Sequence, residues 1–346
     1  MNIVETEKIK KILIMQLKPF GDVLLTTAYF QELSKRFPAA KIDFLVKKPY
    51  HQILDHNPYI NKLLLAENVK GIAYTLDRIK IIKKVRKEHY DLIIDQQNGT
   101  GTGQISFFSG AKYRIGYADG KWRFAHNVHA QRGPLRYSGS RKFDILSPLG
   151  ITEVKYELFF HVKAESKHKI KTWFQEVNIA KDNTIVFSPG SPVKRKKWDK
   201  KCYAILADKI LQNTDYNVVF LWAPKELEDV KEIMSLMKEK AILALPTSFN
   251  ECAAFIADCK ALVCNDGGVN HLAVATKTPT LAIFGNTSPH VWSPASVFKT
   301  HHHLYNEEFD SSDDATFGID PNEAYQELIK ILQNDKIIQS SDIIDL

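Results

Sequence analysis

Cysteine is scarce and badly spaced for its structural uses. The chain has four, Cys202, Cys252, Cys259 and Cys264, all in its second half and with no C-x-x-C pair. Neither a disulfide framework nor a thiolate metal site is expected, and apolar neighbours such as Ala253, Phe255 and Val263 mark them as reduced core residues. No apolar run approaches the ~20 residues that cross a bilayer. The opening MNIVETEKIKKILIMQL puts acids where a signal peptide needs a basic and then an apolar stretch, so a cytoplasmic protein is expected. The three-glycine dinucleotide turn and the Walker lysine loop are both absent, which disfavours a dehydrogenase. No recognition motif with aromatic interleaving is present, so no nucleic-acid partner is expected.

What remains is an ordinary folded composition: 346 residues, 44% apolar and 25% charged, enough for two domains with a core each. The net charge of +7 is unevenly spread. Between Ala111 and Lys142 stand eight cations, Lys112, Arg114, Lys121, Arg123, Arg132, Arg136, Arg141 and Lys142, against the single acid Asp119. Such a segment fits an anionic partner or a solvated basic face.

Short β-rich runs alternate with amphipathic stretches. Residues 10–17, 41–48, 62–66 and 91–97 read as strands in the first half, with helical patterns over 22–37 and 76–89. In the second half the strands are 184–190, 216–222, 241–245, 261–266 and 278–285, with helices over 202–213, 225–238, 249–260, 269–276 and 321–333. Alternation of this kind predicts an α/β chain with parallel sheets covered by helices on both faces. The pattern pauses in LFFHVKAESKHKI, which sets domains of 1–163 and 164–333 and leaves 334–346 as a tail expected to fray. Two doubly wound domains facing one another bind ligands in the cleft at the carboxyl ends of their strands, so the chemistry should lie just after strands.

Three constellations stand there. KPFGD follows the first strand; Gly21 permits a tight turn, and Asp22 falls at the helix N-cap or in its first turn, as a plain cap or as a carboxylate for chemistry. SPGSPVKRKKW follows the strand at 184; Ser188, Gly190 and Ser191 can donate to a phosphate, with Lys194 to Lys197 beside them, most of these cations being ordinary surface charge. NDGGVNH ends the strand at 261 and opens a helix whose free N–H groups favour a diphosphate beside Asp266, Gly267 and Gly268. His271, one turn in, is a ligand residue or a packing residue, and Glu226 a ribose acceptor or an exposed first-turn acid. NGTGTG, at 98–103, has the wrong spacing for a pyrophosphate loop and reads as a turn.

Together with GDVLLTT, RKFDILSPLGI, KKWDKKCYAIL, LWAPKELE and NDGGVNHLAVATKTPTLAIFGNTSPHVWSP, these segments make the chain resemble the lipopolysaccharide heptosyltransferases of glycosyltransferase family 9, most of all the heptosyltransferase III branch. The resemblance implies the GT-B fold of two facing Rossmann-like domains, an acceptor-binding one first and a nucleotide-sugar-binding one second. It implies inverting transfer of heptose from ADP-heptose to an inner-core sugar of lipopolysaccharide. Asp22 would be the general base, and Lys196 with the Gly267 and Gly268 amides would stabilise the departing ADP. Asp266, Gly267, Gly268 and His271 would form the donor site with Glu226 near the ribose. No metal or other cofactor is implied, since Asp-x-Asp is missing and His301 to His303 are expected to lack carboxylate or cysteine partners. The basic segment would then meet a lipid-linked core oligosaccharide through Lys112, Arg114, Lys121, Arg123 and Arg136, at an anionic membrane surface on the inner face of the inner membrane. Trp122 and Phe124 are interfacial or core residues. One departure stands out: Gly267 replaces the family's usual threonine or serine. The rivals are a sugar-nucleotide epimerase of the same fold and a donor-binding protein without transfer activity.

Overall fold

The computed structural model describes residues 4–309 and 314–341. The chain divides into two compact units, Met1–His161 and Val162–Leu346.

The first unit is a six-stranded sheet of β1 (Lys11–Met15), β2 (Lys41–Lys47), β3 (Lys62–Ala66), β4 (Leu92–Ile94), β5 (Tyr113–Tyr117) and β6 (Val128–Ala130). Its helices are α1 (Phe20–Thr26), α2 (Phe30–Arg36), α3 (Gly71–Lys87), α4 (Thr100–Phe108) and α5 (Ser138–Arg141). In the second unit the strands are β7 (Thr184–Ser188), β8 (Asn217–Phe220), β9 (Ile242–Leu243), β10 (Ala261–Asn265), β11 (Thr280–Ile283) and β12 (His301–Leu304). Around them lie α6 (Ala164–Glu176), α7 (Lys200–Asn213), α8 (Leu227–Leu236), α9 (Phe249–Ala257), α10 (Gly268–Thr276), α11 (Pro289–Trp292) and α12 (Pro321–Ser341). All pairings are parallel, and the orders β3-β2-β1-β4-β5-β6 and β12-β11-β10-β7-β8-β9 are the same Rossmann order twice. In each sheet the strand order reverses between its first and fourth strands, β1 and β4 or β7 and β10, and in each unit candidate residues lie just after those strands.

Those strands are central because every residue of β4, β7 and β10, and all of β1 after Lys11, is buried. A strand covered on both faces is mostly apolar, with polar residues such as Ser188 and Asn265 kept to its ends, which is what made these runs visible. Beneath the second sheet Phe187, Trp198, Tyr203, Phe220 and Ile283 share one core, and beneath the first Leu13, Leu45, Ile93 and Ile105 share another. The four cysteines are free, and burial pushes the Cys202 thiol up to about 12.

The remaining elements depart from the expected pattern for identifiable reasons. The helix expected over 22–37 is broken by a 3-10 turn at Thr27–Tyr29. There the Thr26 and Thr27 hydroxyls donate to the Asp22 and Leu24 carbonyls at 2.7 Å, competing with the helical ladder. The glycines of NGTGTG lie not in a turn but mostly in α4. They are there for packing: a Cβ on Gly101 would come within 2.6 Å of the Arg78 guanidinium, and one on Gly103 within 2.6 Å of the Trp122 Cβ. β12 is spelled HHHL and pairs only with β11 at the sheet edge, so it carries no apolar signal. α12 runs on into the segment expected to fray, and residues 342–346 lie outside the described residues.

Glu88 ties two strands of the first sheet, accepting from Lys11 of β1 at 2.5 Å and Lys62 of β3 at 2.6 Å. The two ammonium groups hold its carboxyl down at about 2. A carboxyl that is more acidic in the folded chain stabilises it above the unfolded value and loses that contribution as pH falls toward about 2. Glu88→Gln is therefore expected to cost about 1 kcal/mol at pH 7, the upper end for a largely solvated pair, with the gap to wild type closing on acidification. Urea melts of both proteins across the acid range check this.

Candidate functional site

In the second unit the segment after β7 is pinned to the end of β10 by Asn265. Its Nδ2 donates to the Pro189 carbonyl at 2.6 Å, while its Oδ1 accepts from the Trp198 amide and the Tyr203 hydroxyl, both at 3.0 Å. The buried Trp198 ring is further fixed by its indole N–H on the Thr316 carbonyl at 2.9 Å. Ser188 and Ser191 are buried in this segment, with Ser191 Oγ accepting from the Val193 amide.

The fixed loop presents one lysine to the end of β10. Lys196 Nζ donates to Asp266 Oδ2 at 2.6 Å, and Thr287 Oγ1 donates to the same oxygen at 2.6 Å. Its neighbours go elsewhere: Lys197 pairs with Asp229, as does Lys200, and Lys194 and Arg195 are exposed. The Lys196 ammonium also lies 6.0 Å from the Trp292 ring centre, and the buried His271 ring lies 6.3 Å from that same ring. Lys196, Asp266, His271, Thr287 and Trp292 are thus gathered beside the N-terminus of α10. Gly267 is its N-cap, in extended backbone that any residue adopts, and a Cβ there would meet nothing nearer than the Asn265 carbonyl at 3.9 Å. In the first turn of α10, Asn270 is fully buried with neither side-chain polar atom hydrogen-bonded.

Glu226 is the N-cap of α8, and its Oε2 accepts from the Ala223 amide of the loop after β8 at 3.1 Å while lying against Gly190 of the loop after β7. A Cβ on Gly190 would fall 2.0 Å from Glu226 Oε2, so the glycine makes room for this carboxylate. Nothing in sequence spacing linked the two.

In the first unit Asp22 is the third residue of α1, with Pro19 at the N-cap and no side-chain cap. Asp22 Oδ1 accepts from Lys142 Nζ at 2.9 Å. Burial pushes the Lys142 ammonium pKa down, while Asp22 beside it pulls the other way. The loop carrying Asp22 is held across the switch point: the Leu17 amide donates to Gln97 Oε1 at 2.7 Å, and the Gln97 amide to the Met15 carbonyl at 3.3 Å.

The basic segment divides. Arg114 donates to the Ala111 and Ala125 carbonyls, Arg136 pairs with Asp144 and Glu153, and Lys112 pairs with Glu5. Lys121 and Arg123 are exposed, and among the described residues neither has a carboxylate partner. The expectation that the histidines after residue 300 stand apart from carboxylates fails for His302. α12 brings Glu327 to it, with Oε1 at 2.6 Å from Nδ1. Among the described residues no three His, Cys, Asp or Glu side chains come together as a metal ligand set.

Lys142, Thr287, Trp292 and Asn270 are the residues that sequence reasoning missed. Lys142 was one cation among eight, and Thr287 and Trp292 stand in GNTSPHVW, downstream of the glycine turn that held attention.

Two Rossmann-ordered units, one with a carboxylate after its first strand and the other with a lysine beside a helix N-terminus, are the architecture of a glycosyltransferase of the GT-B fold. The chain belongs to glycosyltransferase family 9 (heptosyltransferase), whose sequence model matches residues 78–315. It is 30% identical over 294 residues to lipopolysaccharide heptosyltransferase 3 of Escherichia coli K12, covering 79% of this chain and 82% of that protein. Among solved structures, the family 9 glycosyltransferase of Veillonella parvula superposes with a TM-score of 0.82 at 21% identity, over 94% of this chain and 97% of that one. E. coli heptosyltransferase WaaC with ADP-2-deoxy-2-fluoro heptose gives 0.72 at 17% identity, over 92% and 99%.

The glycine geometry makes opposite forecasts. Gly190→Ala should displace the Glu226 carboxylate and weaken ADP binding tenfold or more, whereas Gly267→Thr has room for its side chain and should keep wild-type affinity or better it by one hydrogen bond, about 1 kcal/mol. Calorimetric titration of ADP into both folded variants checks the pair.

Proposed function

We propose that the chain transfers heptose from ADP-heptose to an inner-core sugar of lipopolysaccharide with inversion at the anomeric carbon. The observation that carries this reading is the Lys196–Asp266–Thr287 cluster at the N-terminus of α10. It is an anion site with a movable cation, for if Lys196 turns to a phosphate, Thr287 still donates to Asp266 and that buried carboxylate keeps a partner. Family membership and the ADP-sugar in the WaaC structure support a nucleotide diphosphate as the anion.

A sugar hydroxyl is a weak nucleophile at neutral pH, so a base must take its proton as it attacks. Asp22 is assigned that role, with Lys142 aiming the carboxylate. The acceptor oxygen forms its bond to the anomeric carbon as the bond to the ADP oxygen breaks, the proton passes to Asp22, and the electron pair leaves with ADP. Lys196 and the α10 amides stabilise the charge that develops on the leaving diphosphate. No metal is assigned a role in this scheme; protein cations and amides carry the charge. Among the described residues no helix is long and apolar enough to cross a membrane. The acceptor is assigned as lipid-linked, and the chain is proposed to meet it by peripheral contact with an anionic bilayer on the cytoplasmic side.

Asp22→Asn is expected to leave ADP affinity nearly intact and to lower kcat about 10²- to 10⁴-fold, the usual worth of a positioned base. Lys142→Met should lower kcat in the same direction and Lys142→Arg should recover part of it. Turnover is measured with ADP-heptose and a soluble, delipidated core acceptor. A rate for Asp22→Asn within threefold of wild type would reduce Asp22 to a helix residue, and turnover of ADP-heptose without acceptor would point to an epimerase.

Lys196→Ala should weaken ADP and slow transfer, while Lys194→Ala, at an exposed position of the same run, should change neither. A thermal-shift series with ADP, UDP, GDP and CDP on wild type and both variants reads the site and its base preference together. Equal losses in the two variants would mean diffuse charge in place of a site.

A further inference from the structure

The large apolar side chains that the first unit leaves exposed are not scattered singly. Phe107 and Phe108, at the end of α4, and Phe124, in the turn after β5, are 47%, 49% and 62% exposed. They touch one another: Phe107 stands edge-on to Phe108 with ring centres 5.1 Å apart, and to Phe124 at 6.0 Å. Trp122 backs Phe124 at 4.9 Å and is itself seated against Gly103 of α4. Three half-exposed rings gathered in one place present on the order of 300 Å² of apolar surface, the size at which a patch on a folded chain is often functional.

The surround is cationic. Lys121 and Arg123 flank Trp122 in the same turn, both exposed and, among the described residues, without a carboxylate partner. Arg86 of α3 reaches the Phe108 carbonyl at 3.4 Å, and α3 as a whole carries six cations and one acid. Charge complementarity selects the occupant. A second copy would bring the same cations against these, and a neutral bilayer would leave them unanswered. An anionic bilayer meets both demands, since rings enter the headgroup boundary while lysine and arginine reach the lipid phosphates.

We propose that Phe107, Phe108 and Phe124, ringed by Arg86, Lys121 and Arg123, form the face by which this chain docks on anionic lipid. The assignment rests on the membrane contact proposed above and specifies its surface; no step of sugar transfer enters it.

Sedimentation of the full chain with vesicles tests it, using phosphatidylcholine alone and phosphatidylcholine with about a third phosphatidylglycerol. Wild type is expected to pellet with the anionic vesicles only and to be released by high salt. The triple variant Phe107→Ser, Phe108→Ser, Phe124→Ser should lose tenfold or more of that binding, with circular dichroism and the ADP-induced rise in Tm unchanged. Phe124→Ser alone, at the most exposed of the three rings, gives a milder form of the same test and should lose part of the binding. Wild type that binds neither vesicle overturns the membrane contact and this face together. Equal vesicle binding by wild type and a folded triple variant overturns the face alone. Self-association of wild type in gel filtration, lost in the triple variant and without vesicle binding, would make the patch an interface between copies and overturn the lipid assignment.

Discussion

The candidate site of the second unit depends on one side-chain amide. Asn265, buried at the end of β10, donates to the Pro189 carbonyl and accepts from the Trp198 amide and the Tyr203 hydroxyl. Each bond made contributes about 1 kcal/mol net, but a buried partner left without it costs about 1 to 3 kcal/mol, so the loop after β7 has a strong reason to lie as it does. Because that loop is fixed at both Pro189 and Trp198, the backbone of the lysine two residues before the tryptophan is held beside the end of β10. Its ammonium meets Asp266, the residue next to the amide that fixed the loop.

The first unit uses the same device with different residues. Gln97, beyond the end of β4, accepts from the Leu17 backbone N–H through its side-chain Oε1, while its own backbone N–H donates to the Met15 carbonyl, holding the loop that leads from β1 into α1 and Asp22. In each unit an amide side chain after the fourth strand of the sheet grips the loop after the first. The repeated strand order accounts for this. At a switch point the neighbouring connections run to opposite sides of the sheet, leaving a gap whose loop backbone has no ladder partner and must find side-chain ones.

The sequence made the central strands legible because burial on both faces favours apolar runs, as in β1, β4, β10 and β11, while β2 stayed legible although the buried Asp43, which accepts from Asn61 and Tyr90, interrupts it. It hid β5, β6 and β12, where Arg114, His129 and three consecutive histidines interrupt the pattern. Glycine misled in α4, since its use there is to admit Arg78 and Trp122. At the candidate site, position just after a strand drew out Asp22, Asp266 and His271, and the family resemblance singled out Lys196; the structure sets Lys196 against Asp266 and Lys142 against Asp22. Partners that arrive from distant sequence could not be found this way: Lys142 is 120 residues from Asp22, and no local periodicity encodes that meeting.

Both units end up with a lysine against a carboxylate, and exposure separates their roles. In the first, the Lys142 side chain is 8% exposed and Asp22 20%; in the second, Lys196 is 22% exposed and Asp266 3%. The more accessible member is the carboxylate in one pair and the ammonium in the other. A buried ion pair adds little to stability on balance, because desolvation offsets much of the attraction, so neither pair is well explained as a staple. Each makes better sense as a buried group holding a more exposed one in place. On the function proposed above, the more exposed carboxylate is the one assigned to take a proton and the more exposed ammonium the one assigned to meet an anion, the two demands that displacement of a nucleotide diphosphate by a hydroxyl makes on a protein.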